Sequence, residues 1–127
     1  LVLHGGQIAI ADTPDTRRLK QVLQLVAERF GGALHIEEVA ELCGYSKSHF
    51  MRWFRKMTGQ SFVTYLNEQR LSASASMLRS EDCTQTILAI AGKCGFENLS
   101  YFNRMFKRRY GMTPREYRGK ILNTKNV

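Results

Sequence analysis

Apolar positions recur along the chain at helical spacing, broken by short polar or glycine-containing stops. Leu19, Val22, Leu23, Val26 and Phe30 follow three- and four-residue steps, which predicts an amphipathic helix. Thr13 can cap it, Pro14 suits its first position, and Asp15 faces its positive end. Gly31-Gly32 stops it. Ahead of it, LVLHGGQIAIAD (residues 1–12) alternates weakly around a Gly pair and reads as a linker or the tail of a preceding element, and the expected linker segment runs over residues 1–14 up to the helix.

The pattern that follows occurs twice. At an offset of 51, Ile36, Ala40, Cys43, Gly44 and Tyr45 align with Ile87, Ala91, Cys94, Gly95 and Phe96. One residue is inserted in the second turn. Ser48, Phe50, Arg52, Phe54, Gly59 and Tyr65 then align, at an offset of 52, with Ser100, Phe102, Arg104, Phe106, Gly111 and Tyr117. Two copies are too few for a solenoid, so a duplicated supersecondary unit is the better reading.

Within each copy a short helix (Ile36, Val39, Ala40, Cys43; Ile87, Ile90, Ala91, Cys94) runs into a glycine suited to a positive φ. A second helix follows, with Phe50, Trp53, Phe54 and Met57 inward in one copy and Phe102, Met105 and Phe106 in the other. Two helices joined by a tight glycine turn make a helix-turn-helix. Residues 61–79 contain neither Gly nor Pro and predict a connecting helix. The expected fold is all-α. The expected segments are a first unit over 15–60, a linker helix over 61–80, a second unit over 81–118 and a basic tail over 119–127.

Charge sharpens this picture. The chain has 127 residues and a net charge of +8, unevenly spread. Residues 46–60 hold Lys47, Arg52, Arg55 and Lys56 with no acid, whereas residues 98–127 hold eight basic side chains against Glu116 alone. The remainder is net acidic, so two basic patches point to a polyanion touched at two places. No apolar run approaches the roughly eighteen residues of a membrane span, and no secretory signal pattern is present. Cys43, Cys83 and Cys94 are an odd number without CxxC spacing, and His4, His35 and His49 do not complete a zinc pattern. Free thiols in a reducing compartment follow. No cofactor and no metal are expected, and no Ser/His/Asp set or phosphate loop suggests an enzyme.

The second helix of each copy is the basic one. With its apolar stripe inward, Lys47, Ser48, His49, Met51, Arg52, Arg55 and Lys56 stay outside in the first copy. Asn98, Ser100, Tyr101, Asn103, Arg104, Lys107 and Arg108 do so in the second. An α-helix fits the DNA major groove, where Arg reads guanine and Asn reads adenine, while flanking Lys and Arg meet phosphates. A basic face alone is often merely solvated, but both copies place Arg on the same face beside the same turn. Arg52 and Arg104 are the leading base contacts. Lys47, His49, Arg55, Lys56, Asn98, Tyr101, Lys107 and Arg108 are the phosphate candidates, with solvent the alternative for His49. Trp53 and the four phenylalanines read as core, as do Cys43 and Cys94, and His35 as a helix-start residue.

These residues resemble the AraC/XylS family of bacterial transcription regulators over about residues 15–118. The resemblance rests on Ile87, Ala91, Cys94-Gly95-Phe96, Tyr101-Phe102, Phe106-Lys107, Tyr110-Gly111-Met112-Thr113-Pro114 and Tyr117-Arg118. It implies two helix-turn-helix units joined by a long helix, with recognition helices entering successive major grooves about 34 Å apart. Family base-contact positions fall on Ser48, Met51 and Arg52, and on Leu99, Ser100, Asn103 and Arg104. Met51 and Leu99 depart from the pattern, because neither can donate to a base edge; thymine methyl contact is what remains to them. The implied partners are double-stranded promoter DNA and RNA polymerase, in the bacterial cytoplasm, with no membrane. A small-molecule effector would act only through a separate N-terminal domain, after which the Leu1 start is expected to fall. A homodimeric full-length protein is also compatible with the resemblance. An activator is the commoner family role. The alternative is a non-specific nucleic-acid or protein-interaction module.

Overall fold

The computed structural model describes residues 2–4, 7–9 and 12–125, with side-chain surroundings over 12–121. The Thr13 hydroxyl accepts from the Thr16 N–H at 3.1 Å, and Pro14 opens α1 (Pro14–Arg29), which stops ahead of Gly31-Gly32. Val22 and Val26 form its buried stripe. The first helix-turn-helix is α2 (Ile36–Leu42) and α3 (Lys47–Thr58). Then come α4 (Phe62–Arg79), the second pair α5 (Ile87–Lys93) and α6 (Leu99–Tyr110), and α7 (Pro114–Lys125). Among the described residues, no helix is long and apolar enough to cross a membrane.

Both turns are built alike. Gly44 and Gly95 sit at φ of 74° and 94°, the left-handed region open to glycine. The Tyr45 N–H returns to the Ala40 carbonyl at 2.9 Å and the Gly44 N–H to that of Glu41. Phe96 returns to Ala91, also at 2.9 Å, and Gly95 to Gly92. These paired bonds satisfy helix-end carbonyls that would otherwise be orphaned. Each second helix spans 12 residues and closes on a left-handed glycine, Gly59 or Gly111. Four residues separate α2 from α3 and five separate α5 from α6, so the one-residue insertion lies between the glycine and the next helix cap.

The chain divides into two units: residues up to Glu28 with Leu34–Phe62, and Arg29–Ala33 with residues from Val63 on. In the first, Phe50, Phe54 and Phe62 pack with ring centroids 5.3–5.8 Å apart. Trp53 is buried and donates from Nε1 to Asp15 at 3.1 Å, so it is core with its polar edge satisfied. In the second, Leu71, Ala75, Leu78, Ile90, Ala91, Cys94, Phe96, Phe102 and Phe106 form one apolar cluster. The Ser74 hydroxyl, buried beside it, donates to the Leu71 carbonyl at 2.7 Å.

Two elements go beyond the sequence expectation. Val2–His4 and Gln7–Ala9, in the segment expected to be a linker, form antiparallel strands β1 and β2 with His4 opposite Gln7. The Gly pair between them lies outside the described residues. The second is α7, which continues into the segment expected to be only a basic tail. Its start is a capping box: the Thr113 hydroxyl accepts from the Glu116 N–H at 3.2 Å, and the Glu116 carboxylate accepts from the Thr113 N–H at 3.1 Å.

Candidate nucleic-acid interface

The two second helices present equivalent faces because their caps and stripes are equivalent. Ser46 caps α3 by accepting from the His49 N–H, and Asn98 caps α6 by accepting from the Tyr101 N–H. Neither helix has an acidic residue in its first turn, so its positive end is not neutralised from within. Phe50 and Phe54, and likewise Phe102 and Phe106, are fully buried and fix the rotation of each helix about its axis. That rotation turns Arg52 and Arg104, each the sixth residue of its helix, to the exposed side.

In the first unit Lys47, Ser48, His49, Met51, Arg52, Arg55 and Lys56 are all exposed. Met51 has 43% of its surface in solvent, which is unusual for its type and leaves it free for apolar contact. Two of the proposed phosphate contacts have partners of their own. Lys47 pairs with Glu37 of α2 at 3.3 Å. A backbone hydrogen bond and then Lys47 hold the Glu37 carboxyl below the usual range. His49 stacks on Tyr45 with centroids 4.1 Å apart, and the guanidinium of Arg18 lies 5.4 Å from the same tyrosine ring.

In the second unit Ser100, Arg104, Lys107 and Arg108 are exposed, and Asn103 is half-buried. Leu99 is also half-buried and packs against the apolar cluster, which limits what it can offer a groove. Asn98 is exposed, but its side-chain oxygen serves the cap. Tyr101 is half-buried, and its hydroxyl accepts from Asn67 of α4 at 2.8 Å. Among the described residues, no group of three or more His, Cys, Asp or Glu side chains could hold a metal ion.

The helix-turn-helix domain family matches residues 39–120 of this chain. The multiple antibiotic resistance protein MarA of Escherichia coli is 31% identical over 104 residues, covering 82% of this chain and 80% of MarA. The chain belongs to the AraC/XylS family. Its two units form an AraC-type DNA-binding domain of a transcription regulator, and the relatives are regulators, not enzymes. An uncharacterized HTH-type transcriptional regulator of Haemophilus influenzae is 31% identical over 121 residues, which are 95% of this chain but 39% of that protein. A probable AraC family regulator of Rhodopseudomonas palustris superposes with a TM-score of 0.76 at 25% identity, over 83% of this chain and 97% of its own. The DNA-binding domain of AdpA, solved in complex with a target DNA, superposes with a TM-score of 0.74 at 27% identity, over 81% and 91% respectively.

Within this AraC-type domain the closing signature has structural work. Tyr117 packs on Phe106 and Tyr110, and its hydroxyl accepts from Arg79 at 2.9 Å. Arg118 donates to the Gln85 carbonyl at 2.7 Å and lies 3.9 Å from the Cys83 sulfur, so not all of the C-terminal basic charge is free for phosphate. Side chains from residue 122 on lie outside the described set. Two polar residues of α4, Asn67 and Arg70, are held by long-range bonds that the sequence pattern does not announce. Arg70 donates from Nε to the Phe30 carbonyl at 2.7 Å and from Nη2 to that of Gly32 at 3.2 Å. No local signal marks them, because both resemble solvent-facing residues of a connecting helix.

Proposed function

We propose that this domain recognises duplex promoter DNA by sequence, each of α3 and α6 entering a major groove. Arg52 and Arg104 are the principal base readers, aided by Ser48, Met51, Ser100, Asn103 and, at the edge, Leu99. Arg55, Lys56, Lys107 and Arg108 meet phosphates, joined by Lys47, His49 and Asn98. The observation that carries this reading is the pair of arginines exposed at the same position of two helices, each with a side-chain cap and a buried pair of phenylalanines at equivalent positions. The target DNA in the AdpA complex supports it. The full-length protein acts as a transcription activator through RNA polymerase, and any small-molecule effector or dimer contact is made outside these two units.

Binding-site selection from genomic DNA supplies the site, and equilibrium titration then compares it with scrambled duplex across a salt series. Arg52→Ala and Arg104→Ala are each expected to cost about 1–3 kcal/mol and to relax preference at one base position. Undiminished discrimination in both variants overturns the assignment. A wild-type domain that holds both duplexes equally at every salt concentration establishes the non-specific module instead.

A further inference from the structure

Tyr101 is held from three directions. Its backbone N–H is taken by the Asn98 cap at 2.9 Å, its ring lies 6.3 Å from that of buried Phe96, and its hydroxyl accepts from Asn67 at 2.8 Å. Asn67 lies on α4, 34 residues earlier, and is itself half-buried. Over the same ring, Arg104 places its guanidinium carbon 5.9 Å from the centroid, within cation–π range. A chain of contacts therefore runs from the connecting helix, through a fixed aromatic ring, to the arginine at the reading position of the second unit.

We infer that Asn67 and Tyr101 are positioning residues for Arg104, so that the connecting helix tunes the base preference of the second recognition helix. This inference rests on the reading of Arg104 as a base contact. An exposed arginine samples many rotamers, and docking on a base must freeze them; a ring that already biases the side chain reduces that loss for the correct geometry. Asn67 acts by fixing the ring. With the hydroxyl bond absent, Tyr101 can rotate about its side-chain torsions and the arginine loses its backing. The first unit is built differently at the corresponding place: His49 stands there, stacked on Tyr45.

The test uses the whole chain and four duplexes that differ only at the base pair sensitive to Arg104→Ala, with scrambled duplex as the control. Asn67→Ala is expected to reduce discrimination among the four by about threefold to tenfold while affinity for scrambled duplex holds, and Tyr101→Phe to reduce that discrimination to a similar degree. The double variant should lose no more than either single one, because one bond is shared. In an Arg104→Ala background, Asn67→Ala should add no further loss. Equal weakening on every duplex would assign the Tyr101 hydroxyl to a phosphate and overturn the inference, as would an undiminished Asn67→Ala effect without Arg104. If Asn67→Ala fails to fold, Tyr101→Phe, which keeps the ring, decides alone: reduced discrimination supports the inference and unchanged discrimination overturns it. An Arg104→Ala variant with full discrimination removes the base reader and this inference together. An effective Arg104→Ala beside silent Asn67→Ala and Tyr101→Phe removes the inference only.

Discussion

The guanidinium of Arg70 donates to the carbonyl oxygen of Phe30, 40 residues upstream, at 2.7 Å, and a second nitrogen reaches the Gly32 carbonyl at 3.2 Å. Its burial lowers the arginine pKa, opposed by Glu97 and then Tyr101, yet a guanidinium stays charged at any physiological pH. The segment after α1 is thereby fastened to α4 inside the second unit. Arg70→Met keeps the aliphatic stem and removes both donors, which is expected to cost about 2–3 kcal/mol of stability. Urea unfolding measures it, and an unmoved midpoint would show the two bonds to be idle.

The same fastening separates two glycines that look alike in sequence. Both Gly44 and Gly95 have positive φ, but a Cβ on Gly44 meets open space. One on Gly95 would fall 2.5 Å from the Phe30 oxygen and 2.6 Å from the Arg70 Nε. Gly44→Ala should therefore cost only the left-handed strain, about 1–2 kcal/mol. Gly95→Ala should cost clearly more, since it also displaces the Arg70 clasp. Equal melting temperatures for the two variants would contradict the crowding.

Glu37 holds Lys47 at 3.3 Å beside the start of α3. Glu37→Gln releases that lysine and removes a negative charge near the proposed DNA surface. Affinity for duplex should rise severalfold near 50 mM salt, and the log–log salt slope should steepen by up to about one. A shallower slope, or weaker binding, counts against a phosphate role for Lys47.

The Glu116 carboxyl is depressed by the Thr113 N–H and then by the Thr113 side chain, in the capping box of α7. A carboxyl whose pKa is lower folded than unfolded stabilises the protein above its unfolded value, about 4.3, and that contribution fades as pH falls through the folded value. Glu116→Gln should melt below wild type at neutral pH, and the gap should close on acidification. A gap that stays constant down to acidic pH would assign the effect to packing instead of charge.

Burial raises the thiol pKa of Cys43, with Arg18 opposing, and that of Cys94. Both are buried, whereas Cys83 is half-exposed. Iodoacetamide at neutral pH should therefore label Cys83 first in the folded protein, and all three at once in urea. Mass spectrometry of tryptic peptides reads the order. Early labelling of Cys94 would mean that the second unit opens on the alkylation timescale.

The helices, turns and repeat were legible because their causes are local. Phe50, Trp53, Phe54 and Met57 mark a stripe by spacing alone, a glycine after Cys43 or Cys94 marks a turn, and a matching register places Arg52 and Arg104 on one face. Helix α7, which was not expected, does carry a local mark, since Thr113 and Glu116 stand at capping-box spacing. The short ribbon of β1 and β2 had only a weak alternation to announce it.

Residue order was thus enough for the duplicated helix-turn-helix, the inward aromatics and the basic outward faces, because helical periodicity and capping join residues three or four apart. Which polar side chains of α4 find partners was decided by packing across the chain. Asn67 meets Tyr101 over 34 residues and Arg70 meets Phe30 over 40. On a connecting helix such residues look solvent-facing, and their partners exist only once hydrophobic burial has brought α4, α6 and the segment after α1 together.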